Sequence, residues 1–480
     1  MREVIETSTT TINRKLRRNG VITNTAIITI AVIVAVSFVA CSEPGPATIT
    51  PTIAVGPGIV FHNGTILTME ASQPQAQAIL IRGDAITAVG SDPEVLAQAG
   101  SAAVLVDLRG RTILPGFIDT HNHRIAWSIV GGDYESPQAA IQAALEQGWT
   151  GLHELDVNER LLDTLRTLDA QGQMRLRVVG YLGINSPEWE DPIGDRLSAY
   201  EPTVYSPYLR ITGAKIFMKL DSQDHLDQDI LNESLPQLHK DSWQIAIEAI
   251  ESQTLEMVLN AFENALQGSD NRAYRHRIEH VVAMTDEQVA RMAEMGLIAS
   301  IQLNVPASLL GEEKFHQFVD QEPEGSVARW RDLIEAGVPV IGNTDFPSID
   351  MQAMDGPPAG SPIRLLYRAA TRTWANGLPP EAWMLDQAIT VEQALRLMTI
   401  NAAYATFEED TRGSLTPGKL ADLVILSANP LAIPAEELQK AQVLVTMVGG
   451  KFEWCMPGYE SLCPGTADNE SRHGISRNTP

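Results

Sequence analysis

Between residues 58 and 107 short apolar runs alternate with turn signals. Strands are predicted at 58–61, 64–69, 78–82, 85–89 and 103–107, divided by His62-Asn63-Gly64 and Gly83-Asp84. The same texture returns at 421–426 and 443–448, the latter followed by Gly449-Gly450-Lys451. The middle of the chain has another rhythm. Apolar strands are predicted at 113–121, 151–155, 175–182, 213–220, 242–250, 276–281, 297–302 and 338–345, with helical patterns between most of them, for example 252–266 and 285–295. Eight strand-then-helix units predict an α/β chain closed into a parallel (β/α)8 TIM barrel. The alternative is an open doubly wound sheet, and no Gly-rich phosphate loop follows the first strand to support it.

The N-terminus breaks this pattern. Arg14, Lys15, Arg17 and Arg18 precede a charge-free run from Asn19 to Ser42 that is almost purely apolar from Ala26 to Ala40. A basic stretch ahead of an apolar one fits a secretory signal, and the run is also long enough for an uncleaved single-pass anchor. It ends in Phe38-Val39-Ala40-Cys41, which resembles a bacterial lipobox; Cys41 is then either a lipidation site or a cysteine within a membrane helix. Either reading places residues 1–41 as an address, with the rest of the chain in the cell envelope, outside the cytoplasm. Residues 42–57, rich in Pro, Ser and Thr, read as a spacer. The other two cysteines, Cys455 and Cys463, have no Cys or His neighbours that suggest a zinc knuckle, and outside the cytoplasm they are expected to form a disulfide.

Composition narrows the function. The 480 residues are 44% hydrophobic and 20% charged, too apolar for a disordered chain, and three cysteines are too few for a disulfide scaffold. With 35 Lys+Arg against 60 Asp+Glu the formal charge is −25, which argues against nucleic acid as a partner and against membrane contact other than through the N-terminal anchor. A small-molecule substrate is expected, although acidity also serves solubility alone.

Candidate chemistry lies at strand ends, where a (β/α)8 barrel gathers its reactive groups. On a strand, residues i and i+2 share a face. His121 and His123 therefore point the same way in Gly116-Phe117-Ile118-Asp119-Thr120-His121-Asn122-His123, and Asp119 shares their parity as a partner behind the imidazoles. His276 and His280 bracket His-Arg-Ile-Glu-His; by the same parity His276 lies deeper and reads as a satisfied core or supporting histidine. Lys215, Phe217 and Lys219 share a face of the fourth strand, while Gln244, Ala246 and Glu248 face inward on the fifth, so Lys215 and Glu248 can pair. Asp345 ends the eighth strand, either as a site residue or as a cap before Pro347. Mixed imidazole and carboxylate donors favour zinc or a similar divalent ion, one or two in number.

These residues resemble the amidohydrolase superfamily, in particular its YtcJ-like (amidohydrolase 3) branch, over residues 58–455. The resemblance rests on Leu114-Pro115-Gly116-Phe117-Ile118-Asp119-Thr120-His121-Asn122-His123, on His276-Arg277-Ile278-Glu279-His280, and on Gly413-Ser414-Leu415-Thr416-Pro417-Gly418-Lys419-Leu420-Ala421-Asp422-Leu423-Val424. It implies a barrel over 115–412, a small β-sandwich built from both chain ends (58–114 and 413–455) and a C-terminal tail at 456–480. It also implies that His121, His123 and His280 bind metal, that Asp345 is the catalytic acid/base, and that Lys215 matches a lysine whose carboxylation bridges two metals. The chain departs from the family on strand five. Where the family carries Ala-Ile-His-Ala-Ile-Gly-Asp, this chain reads Ala246-Ile247-Glu248-Ala249-Ile250-Glu251-Ser252. Glu248 then either ligates the metal in place of the histidine or pairs with an unmodified Lys215. The segment after His123 is also shorter than the insertion typical of this branch.

The expected activity is hydrolysis of a non-peptide C–N bond in a small molecule, with metal-bound hydroxide as nucleophile and Asp345 moving its proton. The alternatives are a catalytically impaired, membrane-anchored barrel that binds a small ligand, and hydrolysis of a lactone at the same site.

Overall fold

The structure, a computed structural model, describes residues 56–465 apart from 133, 187–192, 219–227, 305–310, 348–357, 359 and 375–376. The N-terminal basic and apolar stretch, Cys41, Lys219 and most of the C-terminal tail lie outside the described residues. Among the described residues no helix is long and apolar enough to cross a membrane.

Eight parallel strands run in chain order around one sheet: β1 (Phe117–Asn122), β2 (Trp149–Val157), β3 (Arg177–Gly183), β4 (Leu209–Ile216), β5 (Gln244–Ala249), β6 (Arg277–His280), β7 (Ile298–Gln302) and β8 (Val340–Asn343). Closure comes just past the ends of the first and last strands. Asp345 N donates to His121 O at 2.8 Å and His123 N donates to Phe346 O at 2.7 Å. The backbone that seals the barrel is thus the backbone that carries the candidate site.

Burial on both faces explains why these strands read as nearly continuous apolar runs. On β5, Ile245 and Ile247 join the outer core against the helices, while Ala246 packs inside with Leu155, Val179 and Tyr181. The helix predicted at 285–295 forms as Asp286–Met295. Thr285 accepts from Gln288 N and Gln288 Oε1 accepts from Thr285 N, satisfying two otherwise free N–H groups.

The run at 113–121 is not one strand. Thr112–Pro115 pairs with Leu423–Leu426 and Thr65–Leu67 in a six-stranded sheet, and only Phe117–Asn122 enters the barrel. Gly116 marks the crossing: a Cβ there would lie 2.2 Å from Thr150 Cγ2, so no side chain fits. Strands from the two chain ends interleave in that sheet, and a four-stranded sheet built from residues 59–107 lies with it around a shared core. Phe61, Ile79 and Val106 meet Leu423, Leu444 and Met447 there. Cys455 and Cys463 are joined in a disulfide, with Cys463 buried in this core.

Candidate metal centre

The mouth of the barrel brings together side chains from six strand ends. His121 Nε2 and His123 Nε2 each lie 3.4 Å from Asp345 Oδ1. Glu248 Oε1 lies 3.0 Å from Lys215 Nζ and 3.3 Å from His280 Nε2. Gln302 joins the two halves: its Nε2 donates to Asp345 Oδ2 at 2.7 Å and its Oε1 contacts His280 Nδ1 at 3.0 Å. Both His280 (φ 74°) and Asp345 (φ 50°) adopt the left-handed backbone that side chains disfavour. Such conformations persist where the surroundings over-determine them, often at functional sites.

Two overlapping sets of donor atoms lie within 4.8 Å of one another, His121–Glu248–His280 and His121–His123–Asp345. The donors suit a divalent cation. His121 Nε2 is buried with no hydrogen-bond partner, while its Nδ1 is 2.8 Å from Glu279 Oε2. Burial and the neighbouring Lys215 push the His121 imidazole well below its ordinary pKa, which keeps it neutral and its lone pair available. Burial raises the Asp345 carboxyl, but His121, His123 and His280 outweigh it and hold it at about 2, so it is anionic. Burial lowers His280, yet its contacts with Glu248 and Asp345 prevail and raise it. A neutral imidazole with an orphaned nitrogen beside an ionised carboxylate is a ready donor set for zinc.

Of the two residues read as supporting ones, His276 takes its other reading, a satisfied core histidine, and Asp119 acts through the backbone next to Asp345. His276 is not behind the metal donors: its Nδ1 accepts from Ile245 N at 3.0 Å, its Nε2 meets His239 Nδ1 at 2.9 Å, and its ring stacks on Phe262 and Tyr274. It faces the helices before β6 begins. Arg277 and Glu279 face the interior instead, and the positive φ of His280 turns that side chain back to the mouth. Asp119 supports the site through the loop that follows β8. Its carboxylate accepts from Thr344 N at 3.0 Å and Thr344 Oγ1 at 2.5 Å, anchoring the loop that presents Asp345.

Three supporting residues escaped the sequence reading. Glu279 holds His121 and is itself clamped by Arg277, whose Nε lies 2.5 Å from Glu279 Oε1 and whose Nη2 lies 2.9 Å from Glu279 Oε2. Gln302 orients Asp345. Glu154 accepts from Ile125 N at 2.7 Å and so caps the helix Arg124–Ile129 that follows His123; burial pushes its carboxyl up to about 7. Charged residues at 277 and 279 flanking buried Ile278 are a legible signal that this pair, not the histidines, faces inward.

The chain is similar to known proteins in sequence and in fold. The chain is 23% identical over 547 residues to the N-substituted formamide deformylase of Arthrobacter pascens, covering 82% of this chain and 98% of that one. It is 24% identical over 392 residues to the imidazolonepropionase of Alkaliphilus metalliredigens, covering 73% and 83%. Its fold matches a variant of the atrazine chlorohydrolase TrzN of Arthrobacter aurescens, complexed with zinc and atraton, at a TM-score of 0.58 and 15% identity, over 83% and 97% of the two chains. The sequence profile of the amidohydrolase family matches residues 133–452, two-thirds of the chain. The chain therefore belongs to the amidohydrolase family and is a hydrolase of that family.

Proposed function

We propose that the protein hydrolyses a C–N bond of amide type in a small molecule, using zinc held at the barrel mouth. The observation that carries this reading is the orphaned, neutral His121 Nε2 facing the anionic Asp345, with His123 at the same oxygen. His121, His123 and Asp345 form one set of donors that could hold the ion, and His121, Glu248 and His280 form the other. A bound zinc would supply acidified water and a polarised carbonyl. The deformylase and imidazolonepropionase relatives, whose names denote C–N chemistry, support the bond class; the zinc-complexed fold neighbour supports the metal.

The remaining work falls to the chain. Asp345 Oδ1 takes a proton from the attacking water and returns it to the departing nitrogen, while Gln302 fixes the other oxygen so that Oδ1 faces the reacting atoms. Glu279 holds the His121 Nδ1 proton and so directs the Nε2 lone pair into the site. Asp119 sets the backbone on which Asp345 stands.

Asp345→Asn should lower kcat/KM by about 10³-fold or more on any amide the wild type hydrolyses, with unchanged thermal unfolding. An active variant would refute the assignment. A panel of N-formyl and other amides beside lactones decides the bond class; activity on lactones alone favours ester chemistry, and none on either favours a binding barrel.

The same reading places the protein in the cell envelope, tethered through Cys41 or the apolar N-terminal run, with no nucleic-acid partner. The basic-then-apolar N-terminus and the Cys455–Cys463 disulfide support export. Radiolabelled palmitate incorporated by wild type but not by Cys41→Ser would identify the lipid anchor; no label in the wild type would exclude it.

A further inference from the structure

Lys215 is the family-type strand-four lysine, and here it is completely buried with its Nζ against Glu248. We propose that the site takes a single divalent ion, and that the Lys215 ammonium, rather than a carbamate on Lys215, stands where a second ion would be held. The proposal rests on the metal-hydrolase reading above.

Three observations carry it. The two donor sets share His121, whose Nδ1 is hydrogen-bonded to Glu279. Nε2 alone remains, and one nitrogen lone pair serves one ion, so the two sets cannot be filled together. If His121 completes the set with His123 and Asp345, the other set retains only Glu248 and His280. An ammonium has no lone pair to add a third ligand.

Carboxylation of Lys215 would supply that ligand, but the space is taken. It adds a carbon and two oxygens at Nζ, where Glu248 Oε1 already sits at 3.0 Å. It would also set an anionic group beside an anionic one, where Lys215 is fully buried and Glu248 nearly so.

Replacing a carbamate and its ion by an ammonium conserves charge, and Glu248 in place of an imidazole then makes the site one unit more negative. A carbamate with a divalent ion sums to one positive charge, and an ammonium carries the same. Glu248 in place of a neutral imidazole sets a carboxylate oxygen 3.0 Å from the Lys215 Nζ, an ion pair where the family has a metal ligand. The strand-five departure is then a coherent alternative site, not a damaged one.

The test counts metal and looks for the carbamate. Full-length protein is saturated with zinc in ¹³C-bicarbonate buffer and desalted. Zinc per chain is then measured by mass spectrometry, and a carbamate carbon is sought by ¹³C NMR. One zinc per chain and no carbamate resonance are expected. Lys215→Arg, which keeps the charge and cannot carry a carbamate, should retain one zinc. Two zinc ions per wild-type chain, or a carbamate resonance lost in Lys215→Arg, would overturn the inference while leaving the hydrolase reading intact. One zinc with no hydrolysis of any amide would defeat the hydrolase reading alone. No zinc at all would defeat both.

Discussion

At the closed end of the barrel, Glu408 accepts from Arg412 Nη2 at 2.5 Å and lies 3.3 Å from Arg210 Nη1. All three are buried, and the segment after the helix Ile400–Ala405 covers them, with Gln244 Nε2 donating to Ala405 O at 2.6 Å. At the mouth, Asp345 and Glu248 share three imidazoles and Lys215, and His121 Nε2, 3.4 Å from Asp345 Oδ1, has no hydrogen-bond partner. Burial is similar at both ends; the balance of protons and lone pairs is opposite. Two guanidiniums around one carboxylate leave a surplus of N–H groups, which repels a cation. A neutral His121 imidazole beside carboxylates leaves lone pairs over, which attract one. A charged barrel interior becomes a metal site only where lone pairs are left over.

Breaking each end should have a different signature. Glu408→Gln leaves two buried guanidiniums uncompensated and should cost about 3–5 kcal/mol of stability, measured by denaturant unfolding, with zinc content unchanged in the folded protein. Loss of zinc without loss of stability would show that the two ends are coupled. The same carboxylate gives a pH signature. Burial raises Glu408, but Arg412 and Arg210 hold it at about 2, below the unfolded value near 4.3. Its contribution is present above the unfolded value and is lost as pH falls through the folded one. The stability gap between wild type and Glu408→Gln should therefore narrow from about pH 4 towards pH 2; a constant gap would contradict the ion-pair account.

At the mouth, Glu279→Gln should weaken zinc binding by about 10–100-fold in a chelator competition. Zinc affinity within about twofold of wild type would remove Glu279 from the support of His121. The smallest effect is expected at His276, which stacks among aromatic rings away from the donors. His276→Phe should leave zinc affinity within about twofold, because the ring lies on the helix side of β6. A large loss would restore the parity reading that the structure overturns.

Much of the fold was legible because its forces are local and repetitive. Strands buried on both faces produce apolar runs, and β5 shows the inward set Gln244, Ala246 and Glu248 as alternation predicts. The Lys215–Glu248 pair followed from the same rule. The rule failed where the backbone leaves the strand. One left-handed residue, His280, breaks the alternation, so the shared parity of His276 and His280 does not put the two rings on one side. Such a φ has no signature in a His, a residue type that does not advertise it as Gly would. The contact of Asp119 with Thr344 is illegible for a related reason: Thr344 lies just past the last strand, and closure of the barrel is a long-range event. Gln302 was invisible because an amide at a strand end has many uses, and only the positions of His280 and Asp345 select this one.

The central claim is that the surplus of lone pairs at the mouth holds a zinc ion on which hydrolysis depends. The direct measurement is turnover of an N-formyl or other amide substrate by full-length protein before chelation, after chelation, and after zinc is returned. Activity should be lost with the zinc and recovered as the zinc is restored. Undiminished hydrolysis by protein verified to be metal-free would contradict the account.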